Sequence, residues 1–174
     1  MPRIGYAPGA FDLFHIGHLN LLRQAKAQCD ILIAGVAADD VLIQQKGVTP
    51  VVPLAERLEI VGSVRFVDRA YAATTTDKLA IWRELQFDVL FKGDDWRGTE
   101  QGDRLERDFA TIGVEVVYFP YTLSTSSTAL RRTLKNIDAM VERGTPTVHA
   151  TLPHAIYQMP SLASIERAGG SLHR

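Results

Sequence analysis

Gly9-Ala10-Phe11-Asp12-Leu13-Phe14-His15-Ile16-Gly17-His18 is the stretch on which the reading of this chain turns. A short apolar run, Arg3 to Ala7, precedes it, and Leu19, Leu22 and Ala25 follow at helical spacing. The stretch therefore reads as a strand-to-helix turn. His15 and His18 stand three apart where the helix begins, and residues at that spacing share a helix face. Both imidazoles can address one point. The free N–H groups and partial positive charge of a helix N-terminus suit a phosphate there. The turn reads as the place where a nucleoside triphosphate is held and attacked.

Outward from this turn, apolar runs of strand length alternate with helix-period segments, the pattern of a parallel α/β sheet. Asp30 to Val36 is nearly continuously apolar, as a strand covered on both faces must be. Asp39 to Gln45 fits a short helix, and Lys46 to Pro53 breaks regularity as a mobile loop. Pro53 suits a helix start, and Leu54, Leu58, Val61 and Val64 or Arg65 continue that helix. Phe66 to Tyr71, Asp88 to Lys92 and Val114 to Phe119 read as strands. Thr74 to Asp77 reads as a cap for a helix over Leu79 to Leu85, with Trp82 in the core. A charged surface helix is expected near 99 to 111, with Leu105 and Phe109 inward. After a loop from Pro120 to Ser126, Ser126 or Ser127 caps a last helix carrying Leu130, Leu134, Ile137 and Val141. The expected fold is a Rossmann-like, doubly wound parallel sheet of about five strands. The domain is expected over 1–143, with an extension over 144–174 that packs on the domain or on a partner subunit.

Composition narrows the functional classes. The chain has 174 residues, 46% of them hydrophobic, which suffices for one domain with a core. A net charge of −1 gives no bulk attraction to nucleic acid or to an acidic membrane. No run approaches the roughly 20 apolar residues that span a bilayer, and nothing resembles a signal peptide. Cys29, the single cysteine, excludes an intrachain disulfide and fits a helix end in a cytoplasmic protein. His149, His154 and His173 form no ligand spacing.

The Gly-x-Gly-x-x-Gly fingerprint of dinucleotide binding is absent after the first strand, which argues against a hydride-transfer cofactor. In its place, His15-Ile16-Gly17-His18 resembles the His-x-Gly-His signature of the cytidylyltransferase-type nucleotidyltransferases. The bacterial glycerol-3-phosphate cytidylyltransferases are the branch it most resembles. The likeness spans residues 3 to 136. Leu58 to Asp68, introduced by Arg57, resembles that family's second block, Gly93-Asp94-Asp95-Trp96 its third, and Ser126-Ser127-Thr128 the end of its fourth.

Nucleotidyl transfer to a phosphate brings two polyanions together, so catalysis rests on positioning and charge neutralisation at the α-phosphorus. His15 and His18 suit donation to α-phosphate oxygens or departing pyrophosphate. Gly9 and Gly17 let backbone approach the nucleotide, with Ala10 and Phe11 between them in the binding turn. Lys46 suits closure over the triphosphate, and Arg57 and Arg65 suit bidentate contact with an acceptor phosphate or the triphosphate. Asp12 is a helix-entry cap or a ligand of nucleotide and acceptor. The resemblance implies Asp94 near the ribose and Ser126, Ser127 and Thr128 near the β- and γ-phosphates. Mg²⁺ is expected on the triphosphate rather than in a protein cage, with no dedicated metal ligands. The resemblance also implies a homodimer.

The chain departs from the family pattern in two places. Ala10 replaces the threonine of Gly-Thr-Phe-Asp, and the fourth block carries Tyr121 where the family has arginine, with Leu123 and Ser124 for Glu-Gly. Lys92 is a candidate replacement cation, and the Lys92-Gly93 pair resembles adenylyltransferases acting on heptose phosphates. Lys92, Asp95, Trp96 and Tyr121 are thus candidates for the acceptor pocket. The expected reaction moves CMP from CTP to a polyol phosphate, a phosphonate or a similar phosphorylated alcohol. ATP with a sugar phosphate is the alternative, and an inactive nucleotide-binding regulator is the alternative of another class.

Overall fold

The computed structural model describes residues 1–120 and 126–142. Five parallel strands, β1 Ile4–Gly9, β2 Ile31–Ala37, β3 Arg69–Ala73, β4 Val89–Gly93 and β5 Glu115–Phe119, form one sheet in the order β3-β2-β1-β4-β5. Six helices connect or follow them: α1 Ile16–Lys26, α2 Asp39–Lys46, α3 Leu54–Gly62, α4 Lys78–Leu85, α5 Glu100–Ala110 and α6 Ser127–Glu142. The expected doubly wound α/β fold is what the chain adopts. By contact the chain divides into two units, Met1–Ala139 and Met140–Arg174. The expected boundary at Gly144 and the extension beyond it lie outside the described residues, as does Tyr121.

Strand side chains alternate between two cores. Ala7, Leu32, Ala34, Val36, Val89 and Phe91 face one side, with Leu22 and Ala25 of α1 and Val61 of α3. Tyr6, Ile33 and Leu90 face the other, against Ile81 and Leu85 of α4 and Leu105 and Phe109 of α5. Period-two alternation between two apolar layers is why these strands read as unbroken hydrophobic runs. Caps end the helices where small polar residues allow it. Asp77 accepts from the N–H groups of Leu79 (2.9 Å) and Ala80 (3.1 Å), and Ser126 Oγ accepts from Ala129 (3.2 Å). Gly47 ends α2 in the left-handed conformation, φ 61°.

The N-terminal edge of the sheet repeats one device. Asp30, Asp68 and Asp88 each stand immediately before a strand. Their carboxylates accept from the backbone N–H of Arg3 (2.6 Å), Leu32 (2.7 Å) and Ile4 (2.7 Å). Their own N–H groups donate back to the carbonyls of those same residues at 2.8, 3.0 and 2.8 Å. Each aspartate thus closes a ring with the neighbouring strand and fixes its register.

Three expectations shift. The third helix ends at Gly62 rather than near Arg65, and β3 begins at Arg69 rather than Phe66. The Asp68–Leu32 ring sets where that ladder starts, and Val64 to Phe66 form the turn before it. Trp82 is only half-buried, its indole N–H donating to the Phe87 carbonyl at 3.1 Å. Cys29 follows the end of α1, half-buried, its thiol on the Ala25 carbonyl.

Candidate functional site

The chain runs outward from β1 through β2 to β3, then returns to place β4 on the other side of β1. Loops leaving β1 and β4 diverge at that reversal and open a crevice at the carboxyl ends of the strands. A cavity of about 310 Å³ lies there, lined by Ala10, His15, Gly17, His18, Lys46 and Gly93, and on α6 by Ser127, Thr128 and Arg131.

His15 is the N-cap of α1. Its extended backbone (φ −142°) turns the ring back so that Nδ1 accepts the Gly17 N–H at 3.0 Å. An Nδ1 that accepts leaves the proton of the neutral ring on Nε2. His18 stacks on it, ring centroids 4.0 Å apart. Phe11 and Phe14 flank His18 at 5.3 and 5.5 Å. Burial, then the neighbouring His15, push the pKa of His18 down to about 3 despite an opposing pull from Asp12. Burial also lowers that of His15. Burial thus favours the neutral form of both rings, in which each keeps one N–H. His18 Nδ1 is buried with no hydrogen-bond partner.

Asp12 is fully buried and forms the hub behind the cavity. Its carboxylate accepts from the N–H groups of Val51 (3.1 Å) and Val52 (2.9 Å) and from Arg131 Nη2 (2.9 Å) and Nε (3.1 Å). Burial would raise its pKa, but the Val52 and Val51 amides and Arg131 together hold it below the usual carboxylate range. The Asp12 carbonyl accepts from Ser127 Oγ at 2.7 Å. One residue thus fastens the loop before α3 and the start of α6 to the histidine turn. It positions the site instead of offering a free ligand, which corrects the expectation of direct contact with nucleotide or acceptor. Phe11 is corrected likewise: its ring is 2% exposed and packs in the core against His18. Its backbone reaches this place in the left-handed region (φ 51°), as does Leu13 (φ 50°). Gly9 ends β1 beneath that ring, where a Cβ would meet Phe11 at 3.0 Å.

The two expected phosphate arginines are placed elsewhere. Arg57 is 0% exposed. Its guanidinium donates to the carbonyls of Val52 (2.8 Å), Ala37 (2.8 Å) and Ala10, and to the Asp39 carboxylate. With its donors so occupied, Arg57 clamps the loops around the cavity from below. Arg65 is exposed before β3, at the opposite edge of the sheet, its guanidinium 4.9 Å over Phe66. A parallel sheet puts that position a full strand length from the crevice.

Lys46, at the end of α2, lines this cavity and a second, shallower one of about 800 Å³ that holds Lys78, Asp95 and Trp96. Lys92 Nζ sits 3.7 Å over the Trp96 ring centroid, and Lys78 Nζ is 5.8 Å from it. Burial first, then the ammonium groups of Lys78 and Lys46, push the Lys92 pKa down to about 7 against the pull of Asp95. Asp94 is exposed in the 3₁₀ turn Asp94–Trp96, outside both linings. Ser126 caps α6.

Arg131 and Lys78 are site residues that the sequence reading missed. Arg131 lies one turn beyond Ser127 and so on the same helix face, a spacing that could have found it. Lys78 opens α4 and carries no comparable signal. Among the described residues no group of three or more His, Cys, Asp or Glu side chains is placed to hold a metal ion, and no helix is long and apolar enough to cross a membrane.

A family model described as cytidylyltransferase-like matches residues 6–133. The chain is 31% identical to a FAD synthase of Thermococcus kodakarensis over 135 residues, 77% of this chain and 89% of that one. It is 42% identical over 95 residues to an ethanolamine-phosphate cytidylyltransferase of Arabidopsis thaliana, and 41% over 95 residues to the bifunctional protein HldE of Acidiphilium cryptum. Those matches take 52% and 54% of this chain but only 22% and 20% of the relatives, so the chain spans about a fifth of their length. Among solved structures, a lipopolysaccharide core biosynthesis protein of Thermoplasma volcanium superposes with a TM-score of 0.60 at 25% identity, covering 70% of this chain and 98% of that one. A pantoate–β-alanine ligase of Francisella tularensis, at 15% identity and TM-score 0.54, covers 79% and 70% and shares the fold alone.

Proposed function

The chain belongs to the cytidylyltransferase-like family, and on that footing we propose that it transfers CMP from CTP to a small phosphorylated alcohol. The observation that carries this reading is the stacked pair His15–His18 at the N-terminus of α1, facing a cavity whose other walls bear Lys46, Ser127, Thr128 and Arg131. An oxygen of the acceptor phosphate attacks the α-phosphorus and forms a new P–O bond. The bond to the β-phosphate breaks, and pyrophosphate leaves with its electron pair.

The neutral rings each supply an N–H to the oxygens that gain charge, the His15 donor being Nε2. Lys46 neutralises the triphosphate from the C-terminal end of α2. The N-terminus of α6, with Ser127 and Thr128, takes the β- and γ-phosphates, and Arg131 adds a fixed guanidinium. Because Arg131 is also tied to buried Asp12, its charge is held in place before ligand arrives, as electrostatic catalysis requires. Mg²⁺ bound to the triphosphate would neutralise part of its charge. Phosphate and water oxygens would hold such an ion.

ATP is the second donor reading, supported by relatives named FAD synthase, a name that states an adenine dinucleotide product. A homodimer is proposed as well, tested by sedimentation of the full chain. Pyrophosphate release, measured with each of four nucleoside triphosphates and a panel of phosphate acceptors, tests the activity. Release with CTP that falls about 100-fold or more in His18→Ala is expected. Release with ATP but not CTP overturns the choice of donor. Nucleotide binding without release across the panel favours the inactive regulator.

A further inference from the structure

Lys92 is an amine that the proposed transfer step does not use, and the inference rests on reading the histidine cavity as the nucleotide site. It stands near the end of β4 and lines neither cavity, its Nζ lying 3.7 Å over the Trp96 ring centroid. Trp96 closes the 3₁₀ turn that leaves β4, and it forms part of the wall of the second cavity. The backbone of that turn is braced toward α5. There the Trp96 carbonyl accepts from Thr99 Oγ1 at 2.8 Å, and a Cβ on Gly102 would strike that carbonyl. On the ring side the brace is Lys92, with Lys78 Nζ farther off at 5.8 Å. A cation–π contact of this kind lasts only while the amine is protonated.

Burial most of all, then the ammonium groups of Lys78 on α4 and Lys46 on α2, bring the Lys92 pKa down to about 7 against the pull of Asp95 in the turn. Lys78 itself feels the Asp77 carboxylate. Across the second cavity α5 adds Glu100, Arg104 and Asp108, so acids and bases are mixed there. On β5, Tyr118 is the ladder neighbour of Lys92, and the Arg97 guanidinium is 6.0 Å over its ring. Of these groups Lys46 alone also lines the histidine cavity. A polyphosphate held in that cavity offsets the Lys46 charge, and the repulsion felt at Lys92 falls with it. We propose that filling the histidine cavity with a polyphosphate draws a proton onto Lys92 and fastens Trp96, so that the wall of the second cavity is braced in step with occupation of the first. Linkage requires the converse, tighter polyphosphate binding when Lys92 is charged.

Trp82→Phe in the full chain leaves Trp96 as its one tryptophan, and the fluorescence of Trp96 against pH reads the contact without requiring turnover. A transition at about pH 7 is expected without ligand. Saturating inorganic tripolyphosphate is expected to raise its midpoint by about half a pH unit, the size of one screened charge–charge contribution. Lys92→Met is expected to remove the transition, and Lys92→Arg to hold the emission of the acid form throughout. Lys46→Gln should raise the midpoint before ligand is added and shrink the effect of the ligand. Calorimetry with tripolyphosphate in two buffers of different ionisation heat gives a second reading if Trp82→Phe does not fold. Proton uptake by the unaltered chain should then exceed that of Lys92→Met. A midpoint unmoved by bound tripolyphosphate overturns the proposal, as does a transition that persists in Lys92→Met or equal proton uptake by the two chains. Failure of tripolyphosphate to bind overturns it together with the proposed nucleotide site. A raised midpoint without pyrophosphate release from any nucleoside triphosphate would leave this inference standing and overturn the proposed activity. Release with an unmoved midpoint would do the reverse.

Discussion

Arg57 illustrates how burial decides the role of a charged side chain. A guanidinium at 0% exposure, bonded to the carbonyls of Val52, Ala10 and Ala37 and to Asp39, has no free face for a ligand. Removing it leaves the carbonyls of Val52, Ala10 and Ala37 without their donor, at a cost of about 3 kcal/mol, while the Asp39 carboxylate, 42% exposed, can be solvated. Arg57→Ala is therefore expected to lower the denaturation midpoint markedly, and Arg57→Lys to recover little, since a lysine cannot reproduce the planar fork. A variant of unchanged midpoint with a raised acceptor KM would instead make Arg57 a ligand. Lys92 makes the opposite case. With a pKa of about 7, set by burial and by Lys78 and Lys46 against Asp95, it loses its charge as pH rises through neutrality. Acceptor KM is expected to climb over that interval, and Lys92→Arg, charged throughout, to flatten the climb. His15 and His18 were legible in sequence because spacing and a turn are local properties. Arg57 and Arg65 were misplaced because nothing local separates a buried arginine, or one at the far edge of a sheet, from one facing a ligand.

Helices and strands were largely legible for the same reason. The apolar runs that became β2 and β4 are covered on both faces, and composition alone announces that condition, whereas β5 lies half-buried at the sheet edge. The start of β3 was not legible, because it is set by the Asp68–Leu32 ring, a contact between residues 36 apart in sequence. Asp68 carries a testable consequence. Burial opposes its ionisation, but the Leu32 N–H and Lys26 outweigh that and lower its pKa below the ordinary 3.8. Its contribution to stability is thus present above 3.8 and lost as pH falls through the lower, folded value. Acid denaturation of Asp68→Asn should show a shallower dependence on pH than that of the unaltered chain. β2 has a steric requirement too. Gly35 lies against Tyr6, and a Cβ there would collide with the phenol ring. Gly35→Ala is expected to cost about 1–3 kcal/mol, read as a lowered urea midpoint.

At the scale of the whole molecule, the strand order places the site where β1 and β4 part, and ligand binding should be felt by the entire unit. A nucleotide at about 100 times its Kd adds about 2.7 kcal/mol to stability. CTP is expected to raise the melting temperature more than ATP at equal concentration, and ATP winning that comparison would favour the second donor. The family likeness made the fold legible from sequence, but the approach of Lys78 to Trp96 was not, since the two come from separate elements. The three aspartate rings lie at the other end of the strands. Registration is therefore secured at the strand ends away from the crevice, and the rim of the crevice carries none of those rings. For protein engineering this separates two kinds of variation. Libraries that randomise Asp94, Asp95 and Arg97, short of the left-handed Gly98 and of Thr99, which caps α5, should stay rich in folded members with altered acceptor choice, whereas libraries at Asp30, Asp68 and Asp88 should yield mainly misregistered chains.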